Sequence, residues 1–227
     1  MSTELFTVRK LLIECTGMRI DEVIALRISK YDRINKTLLI DSSISWHPNK
    51  EKTRKSYEET TTKTENDRTI RIANSIAQYL DKYLDYLRSI SLYEDDMYIF
   101  SRLQYSRSSE GMLDPFSLKT FNNHIRQAYV LLGLINEKND KPYKNHIARH
   151  SFNTLLKNNH IEEYDRKEYI GHSNGTSVNE GYTHKSTEEE NRIVEVAEKY
   201  CQELIGDLLI KYNVIDENLT EISPKID

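Results

Sequence analysis

Three basic side chains are spaced to share one face of a helix in the segment NHIARHSF, residues 145–152. His146, Arg149 and His150 stand at positions i, i+3 and i+4, and no Asp or Glu occurs in the ten residues that follow. A guanidinium stays charged at every relevant pH and donates paired hydrogen bonds, and an imidazole can donate a hydrogen bond or move a proton near neutral pH. The segment therefore favours a site for an anion that undergoes chemistry.

A zinc site is the competing interpretation of the same segment. His146 and His150 are four residues apart, but HIARH lacks the glutamate of the HExxH motif, and the cation at Arg149 would repel a metal ion. Cys15 and Cys201 stand far apart in the sequence and outside any CxxC pattern, which argues against a thiolate metal site and against a disulfide framework. We expect no metal or other cofactor, and we expect both cysteines to be buried.

Three further stretches contain residue types that could act on an anion, although each has an ordinary explanation. In TGMRIDEVIAL, Arg19 could simply pair with Glu22 three residues later. In TKTENDRTIRI, Lys63 lies near other lysines, and such charge runs are usually solvated. In GHSNGTSVNEGYTHK, His172 could cap a helix and Tyr182 is one of fifteen tyrosines. If none of these residues acted on an anion, a separate ordinary explanation would have to hold in each stretch.

The four stretches, in this order, resemble the catalytic domain of the tyrosine recombinase (phage integrase) family. The resemblance runs from about Phe6 to Lys185, and all six residue types expected of the family are present. It implies a mainly α fold with a small antiparallel β-sheet. It also implies a site-specific DNA recombinase that cuts and rejoins strands through a 3′-phosphotyrosine intermediate, without ATP or a metal.

The resemblance gives each of the six residues a role. Tyr182 would attack the phosphorus, and Lys63 would protonate the 5′ oxygen that leaves. The two arginines would hold the phosphate, because guanidinium groups suit the charge that grows on its non-bridging oxygens. The two histidines would complete the cradle. The expected catalytic residues are thus Arg19, Lys63, His146, Arg149, His172 and Tyr182.

The sequence departs from the family pattern in three places. The interval from His172 to Tyr182 is one residue longer than the commonest spacing, and Ala148 replaces the usual leucine before Arg149. Family members also carry a helical domain before this one that clamps the duplex, and Arg19 comes so early that this N-terminal domain is expected to be absent. We therefore expect weak and steeply salt-dependent DNA binding.

Three alternatives remain open from the sequence. The chain could be a catalytically idle DNA-binding regulator on a recombinase scaffold, which would bind its site without forming an adduct. It could be an enzyme like the type IB topoisomerases, which would relax supercoils without site preference. It could also be a helical interaction module without chemistry, if the four stretches lie apart in space.

Composition permits double-stranded DNA as the partner without demonstrating it. The 227 residues have a formal net charge of −4, but residues 187–227 hold eleven acids against four lysines or arginines. The remainder is therefore slightly basic. No apolar run is long enough for a bilayer, so we expect no membrane partner and a cytoplasmic, nucleoid-associated protein in a prokaryotic host.

Hydrophobic periodicity predicts the elements that position these residues. We expect two helices over 6–26 broken at Gly17, strands at 37–44 and 68–72, and a long polar excursion between them. Further helices are predicted in five segments, and the one that ends at Gly171 has the usual terminating glycine. The predicted organisation is a catalytic domain at 1–185, a C-terminal helix at 186–213 that could dock on a neighbouring protomer when the protein self-assembles on DNA, and a polar tail at 214–227.

Overall fold

The computed structural model describes residues 3–46, 57–61, 67–91, 93–101, 114–131, 146–172 and 187–221. These residues form seven α-helices, five short strands and one turn of 3-10 helix at Ile28–Lys30. The predicted fold class, mainly α with a little antiparallel sheet, is confirmed. The helices are α1 (Thr3–Thr16), α2 (Ile20–Ala25), α3 (Asn74–Ser89), α4 (Leu118–Leu131), α5 (His146–Asn158), α6 (Glu163–Ile170) and α7 (Thr187–Glu221). The strands are β1 (Tyr31–Asp32), β2 (Thr37–Ile40), β3 (Ser42–Trp46), β4 (Tyr57–Thr61) and β5 (Arg68–Arg71).

Helix α1 lies at the centre of the fold. It contacts α3, α4, α5 and α7, and every residue from Val8 to Thr16 is buried. The helix nevertheless carries charged side chains, and these have partners inside the protein. The Arg9 guanidinium lies over the ring of Phe116, 4.2 Å from its centroid, and Lys10 pairs with Glu14 at 3.7 Å. Because other helices surround α1, the position of its C-terminal end is fixed. Arg19 follows this end by three residues, so its backbone position is fixed as well.

The strands form two small antiparallel sheets, which corrects two sequence predictions. The strand predicted at 37–44 is interrupted at Asp41, whose carboxylate pairs with Lys30 at 2.5 Å, so that β2 joins β1 and β5 while β3 joins β4. The polar excursion predicted at 47–66 contains β4. Its sequence YEETT has no apolar alternation, and it is a strand because its backbone pairs with β3, with Ile44 opposite Glu59.

Two glycine turns bring the ends of α1 and α6 together. Gly17 follows α1 with φ +65° and Gly171 ends α6 with φ +73°, a region that favours glycine. A Cβ atom on Gly17 would lie 2.8 Å from Cγ2 of Ile170, so the two turns approach more closely than a side chain would permit. Both predicted glycine breaks are confirmed.

Helix α7 packs across α1, α3 and α5 and is longer than we predicted. Its apolar stripe includes buried Ile193 and half-buried Val196, as expected, and Cys201 is buried beside the equally buried Cys15. We expected a polar tail from residue 214, but the helix continues to Glu221. In the described part of the chain, no helix is both long and apolar enough to cross a membrane.

Glu198 attaches α7 to the first turn of α3. Its carboxylate accepts hydrogen bonds from the backbone N–H of Ser75 at 2.9 Å and from the Ser75 hydroxyl at 2.6 Å. Burial alone would raise the pKa of Glu198, but the hydrogen bonds from Ser75, Gln202 and Asn74 outweigh burial and lower the pKa below its ordinary value of 4.5. An acid at a helix N-terminus also interacts favourably with the helix dipole.

Replacing Glu198 by Gln should lower the free energy of unfolding by about 1 kcal/mol at neutral pH, because the cap of α3 loses its charge. Since the folded-state pKa is lowered, this contribution is complete above pH 4.5 and disappears as the pH falls through the pKa of Glu198. Urea unfolding of Glu198→Gln and of Glu195→Gln, an exposed glutamate on the same helix, measures the difference. Equal losses in the two variants would contradict the capping role.

Candidate active site

Helix α5 places the side chain of Arg149 in the interior of the protein. Arg149 is 5% exposed, and its neighbours Ala148 and Phe152 are buried. We predicted that His150 would share the face of Arg149, but His150 is exposed. His146 is the first residue of α5, one turn before Arg149, and its side chain lies outside the described part. Of the two basic side chains that are described in this segment, Arg149 is therefore buried and His150 is not.

Backbone carbonyls at the ends of two helices hold the Arg149 guanidinium. One terminal nitrogen donates to the carbonyl of Gly17 at 2.7 Å and also to that of Ile170, and the other donates to the carbonyl of Gly171 at 3.0 Å. Carbonyls at helix C-termini lack partners within the helix and carry partial negative charge. The ends of α1 and α6 thus fix this guanidinium and stabilise its charge without cancelling it.

Arg149 has no carboxylate partner among the residues that the structure describes. A buried charge is normally paired with an opposite charge, because removing it from water is costly. Burial, followed by repulsion from Arg19 and Arg68, lowers the pKa of Arg149 to about 10, so the group remains protonated at neutral pH. A buried guanidinium that keeps its charge in this way is suited to bind an anion.

His172 lies directly beside Arg149. The Arg149 Nε–H donates to Nε2 of His172 at 3.2 Å, so this nitrogen must be unprotonated and the ring proton must be on Nδ1. Burial, then the positive charges of Arg149 and Arg19, lower the pKa of His172 below its ordinary value of 6.5. At neutral pH His172 is therefore a neutral imidazole with one N–H available for a substrate oxygen.

Arg19 is a second cation near Arg149 and His172, and these residues form a cluster in which Glu22 holds Arg19 in place. Arg19 is the N-cap of α2, where its backbone N–H donates to Glu22 at 2.9 Å and its guanidinium pairs with the same carboxylate at 2.9 Å. The sequence allowed this pair as one explanation of Arg19, and the structure contains it. One carboxylate oxygen contact leaves most of the guanidinium donors of Arg19 for another partner, and its side chain is 23% exposed.

A third arginine, Arg68, completes the cluster. Its guanidinium donates to both oxygens of Glu22, at 2.8 and 3.3 Å, and its Nε–H donates to the carbonyl of Tyr169 at 3.2 Å. Glu22, the one described carboxylate in contact with any of these three arginines, pairs with Arg19 and Arg68 and not with Arg149, which leaves an excess of positive charge in a partly buried cluster. Fixed cations that point to one place can stabilise negative charge that develops in a transition state.

The structure places three of the six predicted site residues in one cluster. Arg19, Arg149 and His172 meet there although they are far apart in the sequence. Lys63 and Tyr182 lie outside the described residues, Lys63 between β4 and β5 and Tyr182 between α6 and α7. The catalytic roles of all six stay predictions.

The sequence reasoning missed Arg68, although a signal for it was present. Residues 68 and 70 lie on one face of β5, Ile72 follows directly after the strand, and Ile70 and Ile72 are buried. An arginine on the same face of a strand as a buried isoleucine is expected to have an acidic or carbonyl partner wherever it is buried as well. The sequence alone did not show that this partner would be the carboxylate that also holds Arg19.

Comparison with known proteins identifies the family. The sequence model of the phage integrase family matches residues 6–189. The chain belongs to the phage integrase family. A comparison with curated proteins gives no match. The resemblance predicted from the four stretches is confirmed.

Solved structures of the family share the fold. The integrase of the Tn1549 transposon, bound to a circular intermediate DNA, matches 83% of this chain with a TM-score of 0.54 and 19% identity. The integrase of mycobacterium phage Brujita matches 87% with a TM-score of 0.50 and 15% identity. The alignments cover 57% and 52% of those two proteins, so this chain spans little more than half of their length.

The position of His172 among cations predicts its titration. Its pKa should lie below 6.5, and Arg19→Gln should raise it because one positive charge is removed from the cluster. Imidazole NMR signals recorded against pH, and assigned with His172→Gln, measure this. The control is Arg88→Gln, which removes an exposed arginine that pairs with Asp85. A His172 pKa of 6.5 or above, or no response to Arg19→Gln, would contradict the described geometry.

Proposed function

We propose that this chain is the catalytic domain of a tyrosine-type site-specific DNA recombinase. The observation that carries the proposal is the buried Arg149 guanidinium, which is held by carbonyls beside Arg19 and a neutral His172 and has no carboxylate partner in the described part. Such a group fits one phosphodiester, which carries a single negative charge. Membership of the phage integrase family supports the same conclusion.

The cluster can bind the phosphate before the reaction and stabilise it during the reaction. Four of the five N–H donors of Arg149 are used inside the protein, and the remaining one, on the nitrogen that contacts Gly171, is left for a phosphate oxygen. Arg19 can add a fork of donors and His172 its Nδ1–H. As phosphorus becomes five-coordinate, charge grows on the non-bridging oxygens, and one fixed donor is typically worth roughly 3 kcal/mol.

The covalent step requires residues outside the described part. The phenolic oxygen of Tyr182 forms a bond to phosphorus while the bond from phosphorus to the 5′ oxygen breaks. The phenolic proton passes to a nearby base, for which the imidazole of His146 is suited because the free lone pair of His172 already accepts from Arg149, and Lys63 gives a proton to the leaving 5′ oxygen. Reversal by the 5′ hydroxyl of another strand rejoins the DNA, because the phosphotyrosine link conserves the energy of the ester.

Double-stranded DNA is the proposed partner, and assembly of several protomers on it is part of the proposal. The Tn1549 integrase has been captured with a circular intermediate DNA and with transposon right end DNA. Strand exchange between two sites requires at least two nucleophiles, and α7 follows directly after the segment that carries Tyr182. We expect binding to weaken steeply with salt.

The proposal is tested in two steps. A DNA site is first selected from a random library by its binding to the protein, and a duplex that contains this site and a nick beside it is then used as the cleavage substrate. Wild-type protein should form a covalent adduct that survives denaturing electrophoresis. The nick leaves the cleaved 5′ hydroxyl on a short fragment, and reversal is prevented when this fragment dissociates. Tyr182→Phe should form none, and Tyr164→Phe, which alters an exposed tyrosine on α6, should form as much as the wild type.

Two outcomes would contradict the proposal. An adduct that persists in Tyr182→Phe would overturn the choice of nucleophile. Selective binding without an adduct would favour the idle DNA-binding regulator.

A further inference from the structure

One guanidinium, that of Arg68, connects the two parts of the candidate active site. On one side it contacts both carboxylate oxygens of Glu22, which holds Arg19. On the other side it donates to the carbonyl of Tyr169, in the last turn of α6 before His172. Its side chain is 8% exposed, so it lies behind the cluster rather than at the surface.

The burial of Glu22 makes a second cation necessary. The Glu22 side chain is 1% exposed, and a buried carboxylate is costly unless both of its oxygens are paired and hydrogen-bonded, whereas the Arg19 guanidinium contacts only one of them. Burial would raise the pKa of Glu22, but the hydrogen bonds and charge of Arg68, followed by those of Arg19, outweigh burial and lower it. Without Arg68 the carboxylate would be poorly compensated, and its hold on Arg19 would weaken.

Gly171 makes room for Arg68. A Cβ atom at Gly171 would lie 2.5 Å from Cζ of Arg68, closer than real contacts permit. The absence of a side chain at this turn therefore has two consequences. It permits the left-handed conformation that directs the Gly171 carbonyl to Arg149, and it lets Arg68 pack against the same turn.

We infer that Arg68 is a positioning residue of this active site, which fixes Arg19 through Glu22 and fixes the turn before His172 through the Tyr169 carbonyl. The planar fork is essential, because three separate nitrogens make these contacts in different directions. A lysine has one nitrogen and cannot span both oxygens of Glu22 and the carbonyl. The consequence for cleavage rests on the proposed function, whereas the effect on Arg19 does not.

Single-turnover cleavage of the nicked duplex distinguishes positioning from folding. At saturating protein, Arg68→Lys and Arg68→Gln should lower the rate constant of adduct formation roughly 10- to 100-fold, as expected for a misplaced catalytic group. The final amount of adduct should change little. A variant that was merely unfolded in part would keep the wild-type rate constant at saturation, because its folded fraction reacts normally.

The matched control is Arg33→Gln, which removes an exposed arginine that pairs with Asp81 and Asp85. Its rate constant should equal that of the wild type. If Arg68→Gln is too unstable to purify, Arg68→Lys decides, because it keeps the positive charge near Glu22 and removes only the fork. A wild-type rate constant in a folded Arg68 variant would overturn the inference.

NMR spectra of the arginine guanidinium groups give a second readout that does not depend on cleavage. In the wild type, the bond to Glu22 should restrict rotation of the Arg19 guanidinium and give it separate NH₂ signals, which should merge in both Arg68 variants and persist in Arg33→Gln. Unchanged Arg19 signals would overturn the inference. If the wild type forms no adduct, the proposed recombinase activity fails, and these signals alone decide the role of Arg68.

Discussion

The candidate active site depends on one interaction, the binding of the Arg149 guanidinium by backbone carbonyls. A carboxylate would hold the same cation more strongly, but it would also cancel the positive charge that the proposed phosphate ligand requires. Carbonyls at the ends of α1 and α6 satisfy the hydrogen bonds and supply only partial negative charge. The protein thus keeps a buried positive charge available, and the low exposure of Arg149 strengthens its interaction with an anion.

The rest of the fold makes this binding possible. The carbonyls converge because Gly17 and Gly171 both adopt left-handed conformations and their turns touch. The end of α1 is fixed because other helices surround α1, and the end of α6 is fixed from behind by Arg68. The single described carboxylate of the cluster, Glu22, is shared by two arginines, so it orients them and leaves net positive charge. Glu22 and the backbone carbonyls therefore orient the arginines, and the arginines supply the net positive charge.

The sequence predicted much of this arrangement because several signals were local. The two glycine turns, the pair of Arg19 with Glu22 and the amphipathic helices follow from residue type and spacing. The strand break at Asp41 and the polar strand β4 did not, since each depends on pairing with distant residues. The contacts of Arg149 were also beyond sequence reasoning, because they are made to carbonyls, which every residue carries. Arg68 lies between these cases, since its burial was predictable and its partner was not.

The most direct test compares Arg149→Ala with the wild type on two DNA substrates. One carries an ordinary phosphate at the cleaved position, and the other carries a neutral methylphosphonate there. If Arg149 acts by stabilising the charge of the phosphate, its removal should slow cleavage of the phosphate substrate by roughly 100-fold or more and that of the methylphosphonate by only a few-fold. An equal loss on both substrates would contradict the account, because it would show that the positive charge of Arg149 does not act on the charge of the phosphate.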